Sequence, residues 1–409
     1  MAADYLREVP FMGLALVLAE AKKLGFGPGD PSWINLGNGQ PESGALPGSP
    51  ERISAVSLEA ADHAYGPMSG TPELREAVAA HYRRLYGTPY QAENVAIVQG
   101  GRLALSRVFA ALGTINTGYL LPDYSAYEDL FGGQLSRVTP IPIRTNPKDG
   151  FRPDPAELGR VMTDAGLGAL LMSNPQNPTG AVLTGPAMAE LVARAREAGC
   201  ALLLDEFYSH FVYPPLSGPV SAAQHVTDVN ADQVLIFDGL TKNFRYPGWR
   251  VAWVLGPAVA IATLDRVGAF LDGGPSLLAQ RAALRALEPG YADQETAATR
   301  AEFARKRDLT ISALRRMGVR IDTEPQGTFY VWGSLADLPA PLDTGEGFFR
   351  AALQHKVITV PGELFDIDPG RRRQGPRWYG QWMRFSYGPS HETVTEGLDR
   401  LAAMVAEAS

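Results

Sequence analysis

A single cysteine among 409 residues excludes an intrachain disulfide, so the fold rests on its packed core. That residue, Cys200, lies in an apolar run and reads as a small core side chain. No run of about 18 apolar residues occurs, which excludes a conventional membrane-spanning helix. The opening segment 1–8, MAADYLRE, lacks the basic start and apolar stretch of a secretory leader. A cytoplasmic protein is therefore expected. No basic stretch of helical period is sustained and the formal net charge is -7, so nucleic acid and membrane surfaces are both disfavoured as partners. Internal repeats and low-complexity tracts are missing as well, and no metal site is expected.

What is present is the composition of a soluble globular enzyme, 45% hydrophobic and 20% charged. The length exceeds one ordinary core and predicts two domains, or one large domain with a lobe formed by both termini. An amphipathic stretch covers 13–24. From Pro72 a helical period places Leu74, Val78, Tyr82 and Leu85 on one face. Strands are expected at 94–98, 118–121, 234–237 and 251–255, with a helix over 103–112. That alternation predicts a mainly parallel sheet wrapped by helices. A long helix over 294–317 leads to strands at 328–332, 357–360 and 383–387 and a closing helix from 393.

The segment 238–250, DGLTKNFRYPGWR, places Lys242 on a polar loop and Arg250 eight residues later. A lysine can form an imine with an aldehyde cofactor, and a nearby arginine can clamp that cofactor's phosphate. This is the chemistry of pyridoxal 5'-phosphate (PLP). Upstream, CALLLDEFY over 200–208 reads as a buried strand delivering Asp205 at its C-terminal end, where open α/β sheets bind ligands. An acid there can pair with a pyridine nitrogen, and Tyr208 can reach the ring's phenolic oxygen. A second strand, at 169–174, stops at the turn NPQNPTG, which offers Asn177 as another donor.

With these motifs in this order, the chain resembles the class I/II aminotransferases of PLP fold type I over nearly its whole length. The resemblance implies an α/β fold whose large domain carries a mainly parallel seven-stranded sheet, with a small α/β domain built from both termini. The expected divisions are 1–48 for the N-terminal part of the small domain, 49–292 for the large domain and 293–409 for the rest. Lys242 is implied as the Schiff-base lysine and acid/base, Asp205 as the pyridinium partner, and Tyr208 and Asn177 as donors to the phenolic oxygen. Arg250 would bind the phosphate, with Thr241 and the amides of Gly100 and Gly101, and Tyr124 would stack on the ring. Tyr65 matches a tyrosine that reaches the phosphate of the neighbouring subunit, which implies a homodimer with shared sites. Arg384 would grip the substrate carboxylate, with Gly39 and Asn177 on the substrate side.

Departures from the family matter too. The phosphate loop is commonly rich in hydroxyls, with a serine three residues before the lysine. Here the loop is Gln99, Gly100, Gly101, Arg102, and Gly239 stands at the serine position. Helix N-terminal amides can still cradle a phosphate. Arg102 reads equally as a phosphate ligand or as a surface charge. The segment 268–276 lacks the arginine that holds the distal carboxylate in aspartate aminotransferases, which disfavours a dicarboxylate substrate. Arg371, Arg372, Arg373 and Arg377, in a loop with Trp378 and Trp382, form either a solvated loop or a cationic lid over the substrate entrance.

The implied activity acts on an amino acid through an external aldimine. Transamination between an amino acid and a 2-oxo acid is the first reading. The alternative is a lyase or synthase performing β- or γ-elimination, replacement or cyclisation, since the surroundings of Lys242 and Arg250 also resemble aminocyclopropane-carboxylate synthase, which acts on S-adenosylmethionine. A non-catalytic regulator on the same fold is disfavoured by the intact lysine.

Overall fold

Apolar runs in the middle of the chain become strands buried on both faces in the computed structural model, which describes residues 13–408. The segment 1–8, read for a leader, lies outside the described residues. The strands in the first half of the chain are β1 (Ile34–Asn35), β2 (Val95–Val98), β3 (Ile115–Leu121), β4 (Val138–Arg144), β5 (Leu167–Ser173) and β6 (Ala201–Asp205). The second half adds β7 (Val234–Gly239), β8 (Ala252–Leu255), β9 (Tyr330–Ser334), β10 (Val357–Ile358), β11 (Val360–Pro361) and β12 (Trp382–Ser386).

Seven of them form one sheet in the order β2-β8-β7-β6-β5-β3-β4. Only β8 runs against its neighbours; the remaining pairings are parallel. Parallel neighbours need crossover connections, and helices on both faces explain why the inner strands are buried nearly throughout, whereas the edge strand β4 is not. The helix Pro72–Tyr86 begins where predicted, because the Thr71 side chain accepts from the Leu74 amide and a proline fills the first turn. It ends at Gly87, whose φ of 75° suits the left-handed stop. Leu74, Val78 and Tyr82 are buried on its inner face.

The N-terminal strand β1 pairs in parallel with β10, so the start of the chain is stitched to its last quarter. There β11, β12 and β9 make an antiparallel sheet. The single strand predicted over 357–360 is therefore two. Residues Val357 and Ile358 bond to β1, whereas Val360 and Pro361 bond to β12. The chain changes sheets at Thr359, and Pro361, having no N–H, suits the outer position it takes. The long helix runs over Pro289–Arg316, starting earlier than predicted because Pro289 is accommodated in its first turn. The boundary expected at 292/293 falls inside this helix. None of the helices among the described residues is long and apolar enough to cross a membrane.

A buried ionic knot ties these parts together. Arg245 and Glu295 are both fully buried and form a two-pronged pair at 2.8 and 3.1 Å. Arg245 also donates to the carbonyls of Glu42 and Gly44 at 3.0 and 2.6 Å. Arg52 reaches the same Glu295 at 2.9 Å and the Arg245 carbonyl at 2.9 Å. One carboxylate thus joins the N-terminal segment, the loop after Lys242 and the long helix. Removing it leaves a buried guanidinium without its counter-charge. Glu295→Ala should therefore cost about 3–5 kcal/mol of stability, read from the urea unfolding midpoint. A loss below about 1 kcal/mol would show that the knot is not a structural tie.

Candidate functional site

The parallel strands β5, β6 and β7 end at one cleft of about 560 Å³, where the C-terminal strands and the segment around Gly39 close over them. Every site residue expected from the sequence lines it except Gly100 and Tyr65. Asp205, the last residue of β6, is buried beneath the cleft. Its carboxylate accepts from the Tyr127 hydroxyl at 2.9 Å and from the Phe207 amide at 3.4 Å. Burial pushes its pKa up to about 6, against those two bonds and the charge of Lys242.

Lys242 follows β7, and its ammonium donates to the Gly39 carbonyl. Its loop is held from below by Asp238, which accepts from the Gly239 amide at 2.6 Å, Asn243 at 2.7 Å and Tyr82 at 3.0 Å. Burial lowers the Lys242 pKa to about 7; the charges of Arg384 and Arg250 push the same way, and Asp205 opposes them. A lysine of that pKa is substantially unprotonated, hence nucleophilic, near neutrality.

Close packing of glycine shapes the neighbouring corner. Gly100, at φ 84°, caps the helix Gly101–Ala111, whose first amides have no helical acceptor. A Cβ at Gly100 would collide with the Arg250 guanidinium, and one at Gly101 would lie 2.5 Å from the Phe207 ring. Gly239 is equally constrained: a Cβ there would meet the Val251 carbonyl at 2.5 Å and Ala252 Cα at 2.6 Å. This is the physical reason that no serine can stand at that position in this backbone. The Thr241 hydroxyl is buried with no hydrogen-bond partner. Arg250 donates to the Pro247 carbonyl at 3.0 Å, and among the described residues it has no carboxylate partner.

At the other side, Arg384 on β12 is buried and donates to Asn177 Oδ1 at 3.0 Å and to the Gly37 carbonyl at 2.7 Å. It also lies over the Tyr330 ring at 4.1 Å and the Phe365 ring at 4.9 Å, and its Nε is unpartnered. Tyr208 and Tyr330 share a hydrogen bond of 2.8 Å between their hydroxyls. Arg102, exposed at the cleft mouth, donates to the Tyr124 hydroxyl at 3.2 Å. Sequence reasoning missed Tyr127, Tyr330, Phe207 and Phe365. Tyr330 sits inside a predicted strand next to other aromatics, and nothing local separates a cleft tyrosine from a core one.

Tyr65 is 96% exposed and does not line the cleft of its own chain. It stands beside a surface depression with Phe270 and Leu277. The arginine loop does not form the expected lid. None of Arg371, Arg372, Arg373 and Arg377 lines the cleft. Arg373 pairs with Asp366 at 2.7 Å and packs over Trp378, and Arg377 donates to the Asp366 carbonyl. The acids Asp366 and Asp368, just upstream, both pair with Arg373, and Asp368 also accepts from the Arg372 amide, so they help fold the loop itself. Among the described residues no acid, histidine and cysteine cluster is arranged to hold a metal.

A partly buried lysine near a buried aspartate, flanked by arginines that have no carboxylate partner among the described residues, marks an enzyme site of fold type I. The chain belongs to the class I and II aminotransferase family, whose family model matches residues 31–401. An aspartate aminotransferase of Streptomyces avermitilis is 29% identical over 96% of this chain and 92% of its own length. The aspartate/prephenate aminotransferase of Thermus thermophilus is 31% identical, covering 84% of each chain. A structure of a double mutant of Thermus thermophilus aspartate aminotransferase superposes with a TM-score of 0.81 at 27% identity, covering 97% of both chains. The chain is thus a transferase acting on amino acids.

The Lys242 environment has a direct consequence. In the cofactor-free protein, trapping of a small aldehyde on Lys242 by borohydride should rise with pH through a midpoint of about 7, because the neutral amine is the reactive form. A midpoint near that of a free lysine would contradict the burial and charge argument.

Proposed function

We propose that the protein is a PLP-dependent aminotransferase that moves an amino group from an amino acid to a 2-oxo acid. The observation that carries this reading is Lys242, partly buried in the cleft, its proton affinity lowered by desolvation and by the charges of Arg384 and Arg250, against Asp205. The cleft fits the cofactor: the Thr241 hydroxyl lacks a partner, Arg250 lacks a carboxylate, and the side-chain-free Gly100 and Gly101 leave helix N-terminal amides open to a phosphate. When bound, PLP supplies an aldehyde carbon that amines attack and a ring that withdraws the electron pair left by the α-proton.

The residues divide the remaining work. Asp205 presents a buried anion to a protonated ring nitrogen, and that partner would keep it ionised despite its burial. Tyr208 and Asn177 would donate to the cofactor's phenolic oxygen, and Tyr124 would stack on its ring; all three line the cleft. Arg384, oriented by Asn177 and the Gly37 carbonyl, receives the substrate carboxylate and aligns its α-carbon. Lys242 Nζ, neutral near pH 7, takes the α-proton and later returns it. Gly39 lies on the substrate side, and its carbonyl accepts from the Lys242 side chain. Arg102 is exposed and donates to the Tyr124 hydroxyl, which supports a place at the entrance over a direct phosphate contact. The aminotransferase relatives support transamination over elimination.

We further propose a cytoplasmic homodimer in amino acid metabolism, with Tyr65 completing the partner's site. Tyr65 and Phe270, 73% exposed, flank one depression, and burial against a second copy would cover them. Sizing under assay conditions should give a dimer, and a fully active monomer would defeat that part. For the chemistry, Lys242→Ala should abolish turnover with every donor, while the wild-type cofactor absorbance shifts with an amino acid and is restored by 2-oxoglutarate. Asp205→Ala should lower kcat about 10²–10³-fold, the scale of losing a preorganised charge. Near-normal turnover in either variant would overturn the assignments.

A further inference from the structure

Asp123 is a buried acid that the mechanism leaves without a role. It lies at 0% exposure just beyond β3, and among the described residues no cation pairs with it. Burial pushes its carboxyl up to about 8, against bonds from Ser173 and Tyr124, with Asp205 adding to the rise. A carboxyl so placed is costly unless its acceptor capacity is used. Three hydrogen bonds use it, all toward one region. One oxygen accepts from the Ser173 hydroxyl at 2.5 Å and from the Tyr124 amide at 2.7 Å; the other accepts from the Ser173 amide at 3.2 Å. The Asp123 amide donates to the Phe365 carbonyl at 3.3 Å.

The connections continue. The Ser173 hydroxyl accepts from the Asn177 amide at 3.1 Å, and Asn177 Oδ1 accepts from Arg384. Tyr124, Ser173, Asn177, Phe365 and Arg384 all line the cleft. An unbroken series of hydrogen bonds therefore runs from Asp123 to the guanidinium that receives the substrate carboxylate. A second branch runs from Asp123 to the main chain of Tyr124.

We propose that Asp123 is a positioning residue that ties the end of β3 to the end of β5, setting Tyr124 for the cofactor and, through Ser173 and Asn177, Arg384 for the substrate carboxylate. This rests on the aminotransferase reading. An acid serving only the local turn would need the Tyr124 amide alone. The bonds to Ser173 reach across to a different strand and onward to the substrate arginine. Lys242 is not in the series, so its proton transfers are spared when the series is cut. The signature is a split in kinetics: binding of the amino acid suffers more than turnover.

The test uses the holoenzyme and four variants. Ser173→Ala removes one hydroxyl and should raise KM for the amino acid about tenfold while kcat stays within about threefold. Asp123→Ala should do the same and also weaken PLP binding several-fold. The double variant should be no worse than Asp123→Ala, because both act through one series. Asp123→Asn keeps one acceptor oxygen but turns a donor toward the Ser173 amide, so it should fall between wild type and alanine. Unchanged KM in Ser173→Ala, multiplying losses in the double variant, or an asparagine no better than alanine would overturn the proposal. If Asp123→Ala does not fold, Ser173→Ala and Asp123→Asn decide it. Hydrogen exchange separates this from failure of the functional reading. Even if no amino acid is transaminated, the Asn177 amide should exchange about tenfold faster in Ser173→Ala, and unchanged exchange would overturn the proposal on its own.

Discussion

Lys242 is enclosed with two guanidinium groups, Arg250 and Arg384, against one buried carboxylate, Asp205. Like charges this close would separate if the chain were free to relax. They stay because each is anchored to a rigid element. Asp205 ends a strand buried at its last four residues, Arg384 lies within β12, and the lysine loop is bound at its base by Asp238. The excess of positive charge lowers the proton affinity of the lysine, and it is also what an anionic cofactor and an anionic substrate would neutralise. Reactivity and recognition thus arise from the same imbalance.

The imbalance must be assembled from distant parts of the chain, and the buried knot around Glu295 explains how. Arg245 follows Lys242 by three residues and binds the main chain at Glu42 and Gly44, close to Gly39, which accepts from the lysine itself. The N-terminal segment and the lysine loop are therefore fastened twice, once inside the cleft and once behind it. The carbonyl of Gly37 holds Arg384, so the same segment also fixes the substrate arginine. Arg250 adopts φ 53°, an uncommon conformation for a side-chain-bearing residue, directly against Gly100. Glycine at that position is what allows the two to approach.

Much of this was legible in the residues alone. Apolar runs marked the strands, a helical period marked the helix from Pro72, and the places of Asp205, Asn177 and Lys242 at or after strand ends followed from the motifs. Other features carried no local signal. The split at Thr359 reflects a change of hydrogen-bonding partner between two sheets, and the sequence there reads as one continuous strand. The arginine loop looked like a free cationic surface because charge was read along the chain, whereas Asp366 and Asp368 fold back on it in space.

The amino-acid sequence by itself determined the class of the fold and the identities of the reactive side chains, because hydrophobic period and spacing are local properties. Tertiary structure alone decided what those side chains are worth chemically. The lowered proton affinity of Lys242, the raised affinity of Asp205, and the series from Asp123 through Ser173 to Arg384 depend on burial and on contacts between residues up to about two hundred positions apart. Solvent exclusion and charge proximity are properties of the packed cleft, and no stretch of sequence contains them.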